Sequence, residues 1–131
     1  MREFELDKEA VETAGQELQA QCHGLAAKCG WWTDIKTGLK KTDRNIPELL
    51  CLIHSEVSEA MEGHRKDLND DKLPHRKMLE VELADVVIRV MDMAGGLGLD
   101  IGGAMAEKLG YNANRADNKV ENRVKKGGKA F

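Results

Sequence analysis

The chain has 131 residues, a length typical of a single domain. It carries 20 Lys and Arg against 23 Asp and Glu, and 41% of its residues are hydrophobic, a composition that excludes collagen-like, low-complexity and strongly disordered chains. The formal net charge of −3 argues against a general nucleic-acid-binding protein, which would usually be basic. We expect one domain over residues 1–131, with no nucleic acid polymer as partner.

The sequence favours a cytoplasmic location without membrane association. It has no stretch of about 18 uncharged apolar residues, as a membrane-spanning helix would need. The acidic segment 1–7 lacks the apolar region of a signal peptide. Cys22, Cys29 and Cys51 are an odd number of cysteines without a C-x-x-C pair, which favours free thiols over a disulfide framework.

Helical periodicity runs through the sequence and predicts an all-α fold. A first helix is expected over about residues 7–29, followed by a loop over residues 30–44. A second helix begins at residues 45–47, where a Pro suits the first turn, and continues to about residue 67. The Asn-Asp-Asp sequence at residues 69–71 then predicts a turn.

A third helix is expected over about residues 74–94, because Pro74 suits a first turn and the Gly pair at 95–96 suits a helix end. Asp100 can cap a fourth helix that runs to about residue 114. The prediction is a four-helix-type bundle in which the second and third helices form an antiparallel hairpin. A basic tail over about residues 117–131 is either a disordered end or a flap over bound phosphates.

The predicted third helix is apolar around most of its circumference. The residues concerned are Leu83, Ala84, Val86, Val87, Ile88, Val90, Met91, Met93 and Ala94. Such a helix is normally buried on most sides, and 131 residues are few for wrapping one completely. We therefore expect a second subunit to cover part of it.

Four carboxylates lie on the predicted hairpin, in two pairs with i, i+3 spacing: Glu56 with Glu59, and Glu82 with Asp85. Residues three apart are neighbours on a helix surface, so each pair can converge on one ion. In an antiparallel hairpin centred on the turn at residues 69–71, Glu56 lies level with Asp85, and Glu59 lies level with Glu82. The spacing thus predicts that all four meet.

A divalent cation would offset the repulsion among these acids, which are costly to bury without a partner. Their oxygens are hard ligands that suit Mg²⁺, with Mn²⁺ as a second possibility. A di-iron centre would need Glu-x-x-His pairs, and neither Glu59 nor Asp85 is a His. The alternative is that the acids form ordinary ion pairs at the surface.

The pattern Glu56-x-x-Glu59 followed by Glu82-x-x-Asp85 resembles the E-x-x-E…E-x-x-D signature of the MazG-like, all-α nucleoside triphosphate pyrophosphohydrolases. The flanking residues 52–60 and 82–88 are similar as well. The resemblance implies a helical bundle that forms dimers, often tetramers, with metal held by the four acids. It also implies hydrolysis of a nucleoside triphosphate between the α and β phosphates, which releases a monophosphate and pyrophosphate.

A downstream segment is similar to the Lys…Asn…Arg segment of that family: Lys108, Tyr111, Asn112 and Arg115. Lys108 and Arg115 are seven residues apart on the predicted fourth helix, so they share a face that can hold a triphosphate. Asn112 lies between them and can bind a phosphate or a sugar hydroxyl. A solvated helical face is the alternative for all of them.

A carboxylate that is not saturated by metal can take a proton from the attacking water, and Glu59 is the candidate, with Glu56 as the other catalytic acid. On the same charged stripe of the third helix, Arg89 and Asp92 either support the acids or form an ion pair between subunits. The basic loop residues Lys36, Lys40, Lys41 and Arg44 are either solvated or within reach of the phosphates.

Two adjacent aromatic residues, Trp31 and Trp32, follow Gly30 in a chain with only 4% aromatic residues. Because neighbours in a regular segment cannot both face one core, one of them is expected to line a pocket and stack on a base. Alternatively, both plug the end of the bundle. His23 is either a hydrogen-bonded histidine on the first helix or a residue that contacts the base.

The leading functional hypothesis is a Mg²⁺-dependent pyrophosphohydrolase of (deoxy)nucleoside triphosphates that clears unwanted nucleotides. A dUTPase-like or phosphoribosyl-ATP pyrophosphohydrolase activity would keep the fold and change the substrate. From another class, a non-catalytic helical dimerisation module would use its acids for ion pairing alone.

Overall fold

The structure is a computed structural model that describes residues 3–131, and in that part of the chain all regular secondary structure is helical apart from two isolated β-bridges. The all-α prediction is therefore confirmed. The helices are α1 (Lys8–Lys28), α2 (Ile46–Arg65), α3 (Met78–Leu97), α4 (Ile101–Asn114) and the single-turn α5 (Val120–Arg123), with a 3-10 turn at Ala116–Asn118. No described helix has the length and apolar character that crossing a membrane requires.

The chain folds as two compact units. One unit is Leu18–Leu99, and the other consists of the N-terminal residues up to Glu17 together with Asp100–Phe131. The single domain expected over residues 1–131 remains a prediction.

Helices α2 and α3 pack against each other as an antiparallel pair in the first of these units. Near the connection between them Gly63 lies so close to Met78 that a Cβ on the glycine would be 2.7 Å from Met78 Cγ. Farther from the connection, Arg89 Nε donates to Glu56 Oε1 over 3.0 Å. Residues near the connection on α2 thus contact residues near the connection on α3, and residues far from it contact residues far from it. This defines an antiparallel pair, as the sequence predicts.

The start of α2 follows the predicted signal, since Asn45 Oδ1 accepts from the backbone N–H of Glu48 over 3.1 Å and Pro47 lies in the first turn. The end of α2 comes at Arg65, two residues before the predicted one. Asp67, just beyond it, has φ 50°, a backbone conformation that does not continue a helix.

Both predicted ends of the third helix are wrong. Pro74 lies in the connection, because the buried Asp70 accepts from the backbone N–H groups of Lys72 and Leu73 through Oδ2, at 3.1 and 2.7 Å, and holds this segment in a turn. The helix begins only at Met78.

At the other end, Gly95 and Gly96 continue the helix instead of ending it. A Cβ at Gly95 would lie 2.4 Å from Cβ of His23, and one at Gly96 would lie 2.1 Å from Cη2 of Trp32. The two glycines thus serve close packing, and Gly98, with φ 71°, ends α3 in the left-handed conformation.

In the other unit α4 begins as predicted, with Asp100 Oδ1 accepting from the backbone N–H of Gly103 over 2.9 Å. Gly102 on α4 packs against Gly15 on α1, where a Cβ on Gly15 would lie 2.6 Å from Gly102 Cα. The basic tail makes hydrogen bonds of its own, since Arg123 donates to the carbonyl oxygens of Lys129 and Ala130 over 3.0 and 2.7 Å.

Candidate functional site

Three glutamates from α2 and α3 form a compact acidic group, defined here as Glu56, Glu59 and Glu82. Each contributes one carboxylate oxygen, and these oxygens all lie within 4.8 Å of one another. Glu82 is buried, Glu56 is half-buried and Glu59 is exposed. The i, i+3 spacing on α2 and the antiparallel packing of α3 bring the three together, as the sequence predicts.

Glu82 carries the largest electrostatic perturbation of the group. Hydrogen bonding to Glu56, burial and the surrounding negative charges raise the pKa of Glu82 to about 8. The same hydrogen bond lowers the pKa of Glu56, burial works against that shift, and the nearby Arg89 lowers it further. The contact between the two carboxyl groups therefore moves their pKa values in opposite directions.

Arg89 supplies the positive charge that the protein itself places against the group. Its Nε lies 3.0 Å from Glu56 Oε1, with the arginine side chain 41% exposed and the glutamate side chain 14% exposed. One half-exposed guanidinium does not balance three carboxylates. This contact fits the interpretation that Arg89 supports the acids.

Asp85, the fourth predicted ligand, stands outside the compact group of three. Burial, and then the charge of Glu56, raise the pKa of Asp85, while Arg89 lowers it. Asp70 and Glu59 also raise that pKa, so Asp85 lies in the same negative field. Sequence reasoning treated Asp70 only as a turn residue and did not find its electrostatic contribution here.

The acidic group fits a divalent cation by the chemistry of its donors. All three donors are carboxylate oxygens, which suit Mg²⁺ or Mn²⁺. Glu82 Oε2 is buried and, among the described residues, has no hydrogen-bond partner. A buried acceptor left unpaired among like charges is the arrangement that a bound cation relieves.

A cleft of about 810 Å³ adjoins the acidic group in the unit Leu18–Leu99. At one end, which we call the acidic end, it is lined by Glu56 and Asp85. Two helical turns farther along α3 it is lined by Asp92 and by the exposed ring of Trp31, which we call the aromatic end. Its cationic lining residues are Lys41, Arg44 and Arg89.

The two tryptophans have opposite environments, and the prediction that one of them lines a pocket is confirmed. Trp31 is 69% exposed and lines the cleft, whereas Trp32 is 4% exposed and does not. The guanidinium of Arg44 lies 4.4 Å from the centre of the Trp32 ring and donates to the Trp31 carbonyl oxygen over 2.8 Å. Arg44 thereby holds both residues in place.

His23 lies behind the cleft and does not line it. Its Nδ1 is 3.0 Å from Asp92 Oδ1, and its ring meets the Trp32 ring edge-on at a centroid distance of 5.3 Å. The interpretation of His23 as a hydrogen-bonded histidine is confirmed. A direct contact between His23 and a base remains a prediction.

Asp92 is the cleft residue whose contacts the sequence predicts least well. Its Oδ1 accepts from Trp32 Nε1 over 2.8 Å and lies 3.0 Å from His23 Nδ1. We call Asp92, His23 and Trp32 the Asp92 cluster. The stripe on α3 marked Asp92 as a charged residue, but no spacing in the sequence links it to a tryptophan 60 positions away.

The predicted phosphate-binding residues of α4 lie in the other unit. Lys108 Nζ is 4.8 Å from the centre of the Tyr111 ring, and Arg115 Nε donates to Asp117 Oδ1 over 2.9 Å. Arg115 also donates to Asn112 Oδ1 over 3.4 Å. Lys108, Tyr111, Asn112 and Arg115 are thus grouped with one another. A surface concavity of about 650 Å³ is lined by Lys108, Tyr111 and Arg115.

Comparison with protein-family models, with curated proteins and with solved structures found no match. Membership of the MazG-like family therefore remains an inference from the residues that carry the resemblance. The chemistry of the cleft is the basis on which a function can be proposed.

Proposed function

We propose that this protein is a Mg²⁺-dependent pyrophosphohydrolase of nucleoside triphosphates, and that its active site is the cleft with the acidic group. The observation that carries the proposal is the convergence of carboxylate oxygens of Glu56, Glu59 and Glu82 within 4.8 Å of one another, in a group whose Glu82 also keeps a buried oxygen unpaired. The resemblance of the four-acid motif to MazG-like enzymes supports the same conclusion.

The acidic group would hold the metal, and Asp85 lies in the same negative field as a fourth acid. When bound, Mg²⁺ or Mn²⁺ supplies charge neutralisation for the phosphates and lowers the pKa of a water molecule. Glu82 must give up its proton to act as a ligand, because a protonated carboxyl is a poor metal ligand. Arg89 keeps Glu56 ionised and ready to bind.

In the reaction, a water oxygen forms a bond to the α-phosphorus while the bond from that phosphorus to the bridging oxygen breaks. Pyrophosphate leaves with the electrons of the broken bond, and the proton of the water passes to Glu59. Glu59 suits this role because it is the exposed member of the group and is accessible from solvent. Phosphoryl transfer needs mainly positioning and charge stabilisation.

Arg89, the cationic residue beside Glu56 in the cleft, would hold the phosphates of the substrate. Guanidinium groups bind phosphate oxygens in bidentate geometry. Lys108, Tyr111, Asn112 and Arg115 are also proposed to bind substrate. For Arg115 this requires exchange of its present partner, Asp117, for a phosphate.

The proposed assembly is a homodimer, or a homotetramer built from two dimers, with a second copy of the chain covering α3. Leu83, Val87 and Ile88 of α3 are between 44% and 48% exposed. Among the described residues no large side chain is fully buried, so the helix pair lacks part of a core within one chain. Light scattering at micromolar concentration tests this, and a strictly monomeric species would contradict it.

The activity test is pyrophosphate release with Mg²⁺ across a panel of nucleoside triphosphates. We expect release by the natural protein and its loss in Glu59→Gln and Asp85→Asn, with the fold retained by circular dichroism. The matched control is Glu80→Gln, since Glu80 lies on α3, is exposed and pairs with Arg76 over 3.1 Å. Release confined to dUTP or to phosphoribosyl-ATP would favour those narrower activities.

Two outcomes would remove the proposal. Undiminished turnover in both Glu59→Gln and Asp85→Asn would show that the acids are not the site. No release from any substrate, together with no effect of Mg²⁺ on thermal stability, would leave a helical dimerisation module instead.

A further inference from the structure

Asp92 presents one satisfied and one unsatisfied oxygen. Oδ1 accepts from Trp32 Nε1 over 2.8 Å and lies 3.0 Å from His23 Nδ1. Oδ2 makes no hydrogen bond to any described residue of the chain, and the side chain is 25% exposed. Asp92 lines the cleft. Oδ2 is therefore the acceptor that this residue can offer to a ligand bound there.

The position of this acceptor along the cleft matches that of a base. Asp92 is seven residues from Asp85 on α3, which is about 10.5 Å along the helix axis. Both residues line the cleft, with Asp85 at the acidic end and Asp92 at the aromatic end. A nucleotide with its phosphates at the acidic end would extend its base toward Asp92 and the exposed face of Trp31.

The contacts of Asp92 hold its carboxylate in a fixed orientation. It can therefore distinguish ligands by their hydrogen-bonding groups. Trp32, its main donor, is 4% exposed and lies so close to Gly96 that a Cβ there would be 2.1 Å from the ring. Arg44 covers the same ring at 4.4 Å. An acceptor fixed in this way cannot turn away from a mismatched ligand without breaking its bond to Trp32.

We infer that Asp92 is a specificity-determining residue, and that it accepts a hydrogen bond from the exocyclic amino group of the substrate base. This inference rests on the proposed function and narrows it. The favoured bases are cytosine and adenine, which present an amino group on C4 or C6, and the disfavoured ones are uracil and thymine, which present a carbonyl oxygen on C4. A carbonyl facing Oδ2 would set two acceptors against each other.

The substitution Asp92→Asn tests the role of Asp92 directly, because the orientation of the new side-chain amide can be deduced. In Asp92→Asn, the side-chain oxygen must stay on Trp32, since Trp32 Nε1 is always a donor. The amide NH₂ then takes the place of Oδ2 and offers a donor to the cleft. The substitution therefore reverses the pattern presented to the base and keeps the bond that holds the cluster together.

The experiment measures kcat/KM for dCTP, dATP, dUTP and dTTP in the natural protein, in Asp92→Asn and in the control Glu80→Gln. We expect a preference for dCTP over dUTP on the order of 10-fold to 100-fold in the natural protein, the range that one base-specific hydrogen-bonding contact supplies. Asp92→Asn should abolish or invert that ratio, and Glu80→Gln should keep it. The dATP and dTTP arms show whether the site accepts a purine or only a pyrimidine.

The outcomes separate this inference from the proposed function. Turnover of all four nucleotides without preference leaves the function standing and overturns the role of Asp92. A preference that survives Asp92→Asn overturns it too, since a structural role alone would lower turnover of every nucleotide equally. If no nucleotide is turned over, calorimetric binding of dCMP against dUMP to the two proteins decides the question, and equal affinities would overturn the inference.

Discussion

The two ends of the cleft differ in how well their polar atoms are satisfied within the chain. At the aromatic end, Asp92 Oδ1 takes both Trp32 Nε1 and His23 Nδ1, and Trp32 is nearly completely buried. In the acidic group, which adjoins the other end of the cleft, Glu82 is buried with one oxygen unpaired, and its pKa is raised to about 8. The buried groups of the aromatic end thus have partners within the chain, whereas the acidic group leaves a buried oxygen without one.

This difference shows where stability and where ligand dependence reside in the unit Leu18–Leu99. Packing and the hydrogen bonds to Asp92 Oδ1 fix the aromatic end. Under the proposed function, a bound cation would relieve the repulsion among the acids at the acidic end. Substitutions at the aromatic end should therefore mainly lower the free energy of unfolding. Substitutions at the acidic end should mainly weaken metal binding.

The largest expected effect is the loss of packing in Trp32→Ala. Truncation of a buried tryptophan leaves a cavity and should lower the free energy of unfolding by about 3–5 kcal/mol in urea denaturation. The matched control is Trp31→Ala, which removes the neighbouring but exposed ring and should change that free energy by less than about 1 kcal/mol. Equal losses in both variants would contradict the division between a buried and a cleft-lining tryptophan.

The second effect is stabilisation by metal at the acidic end. Mg²⁺ at a hundred times its dissociation constant should raise the free energy of unfolding by about 2.7 kcal/mol, by mass action on the folded state. Glu82→Gln should lose most of this gain, because a neutral amide replaces a ligand, while the control Glu80→Gln should keep it. Thermal denaturation with and without Mg²⁺ measures the change, and an unaltered gain in Glu82→Gln would speak against the acidic group as the metal site.

The third effect is a pH dependence of the metal-free protein. Because the pKa of Glu82 is raised from 4.5 to about 8 on folding, the stability that protonated Glu82 provides is complete at low pH and is lost as the pH rises toward about 8. At the upper end of that window Glu82→Gln should be more stable than the natural protein by about 1–3 kcal/mol. Below pH 4.5 the two should converge, and a constant difference across the window would exclude this origin.

The smallest effect is expected for Arg89→Met, which keeps the aliphatic stem and removes the charge. Since the Arg89 side chain is 41% exposed, its ion pair with Glu56 should contribute no more than about 1 kcal/mol to stability. The pKa of Glu56 should rise in this variant, because Arg89 lowers it in the natural protein. Urea denaturation measures the first quantity, and nuclear magnetic resonance titration of the Glu56 carboxyl measures the second. An unchanged Glu56 pKa would mean that the ion pair is not formed in solution.

The sequence by itself determined the all-helical fold, two of the helix caps and the three glutamates of the acidic group. Asn45 and Asp100 are local signals, because a capping side chain bonds to backbone groups only a few residues away. The i, i+3 spacing of Glu56 and Glu59 is equally local, and the helix alone fixes it. The turn signal at residues 69–71 also predicts the antiparallel pairing that brings in Glu82.

Only the tertiary structure decided which tryptophan is buried, where α3 ends and what Asp92 does. Gly95 and Gly96 read as a helix end in sequence, yet they remain helical because His23 and Trp32 pack against them from elsewhere in the chain. The exclusion of Asp85 from the compact group likewise depends on how two helices pack. Contacts between distant residues are set by packing and burial, and no periodicity along the chain encodes them.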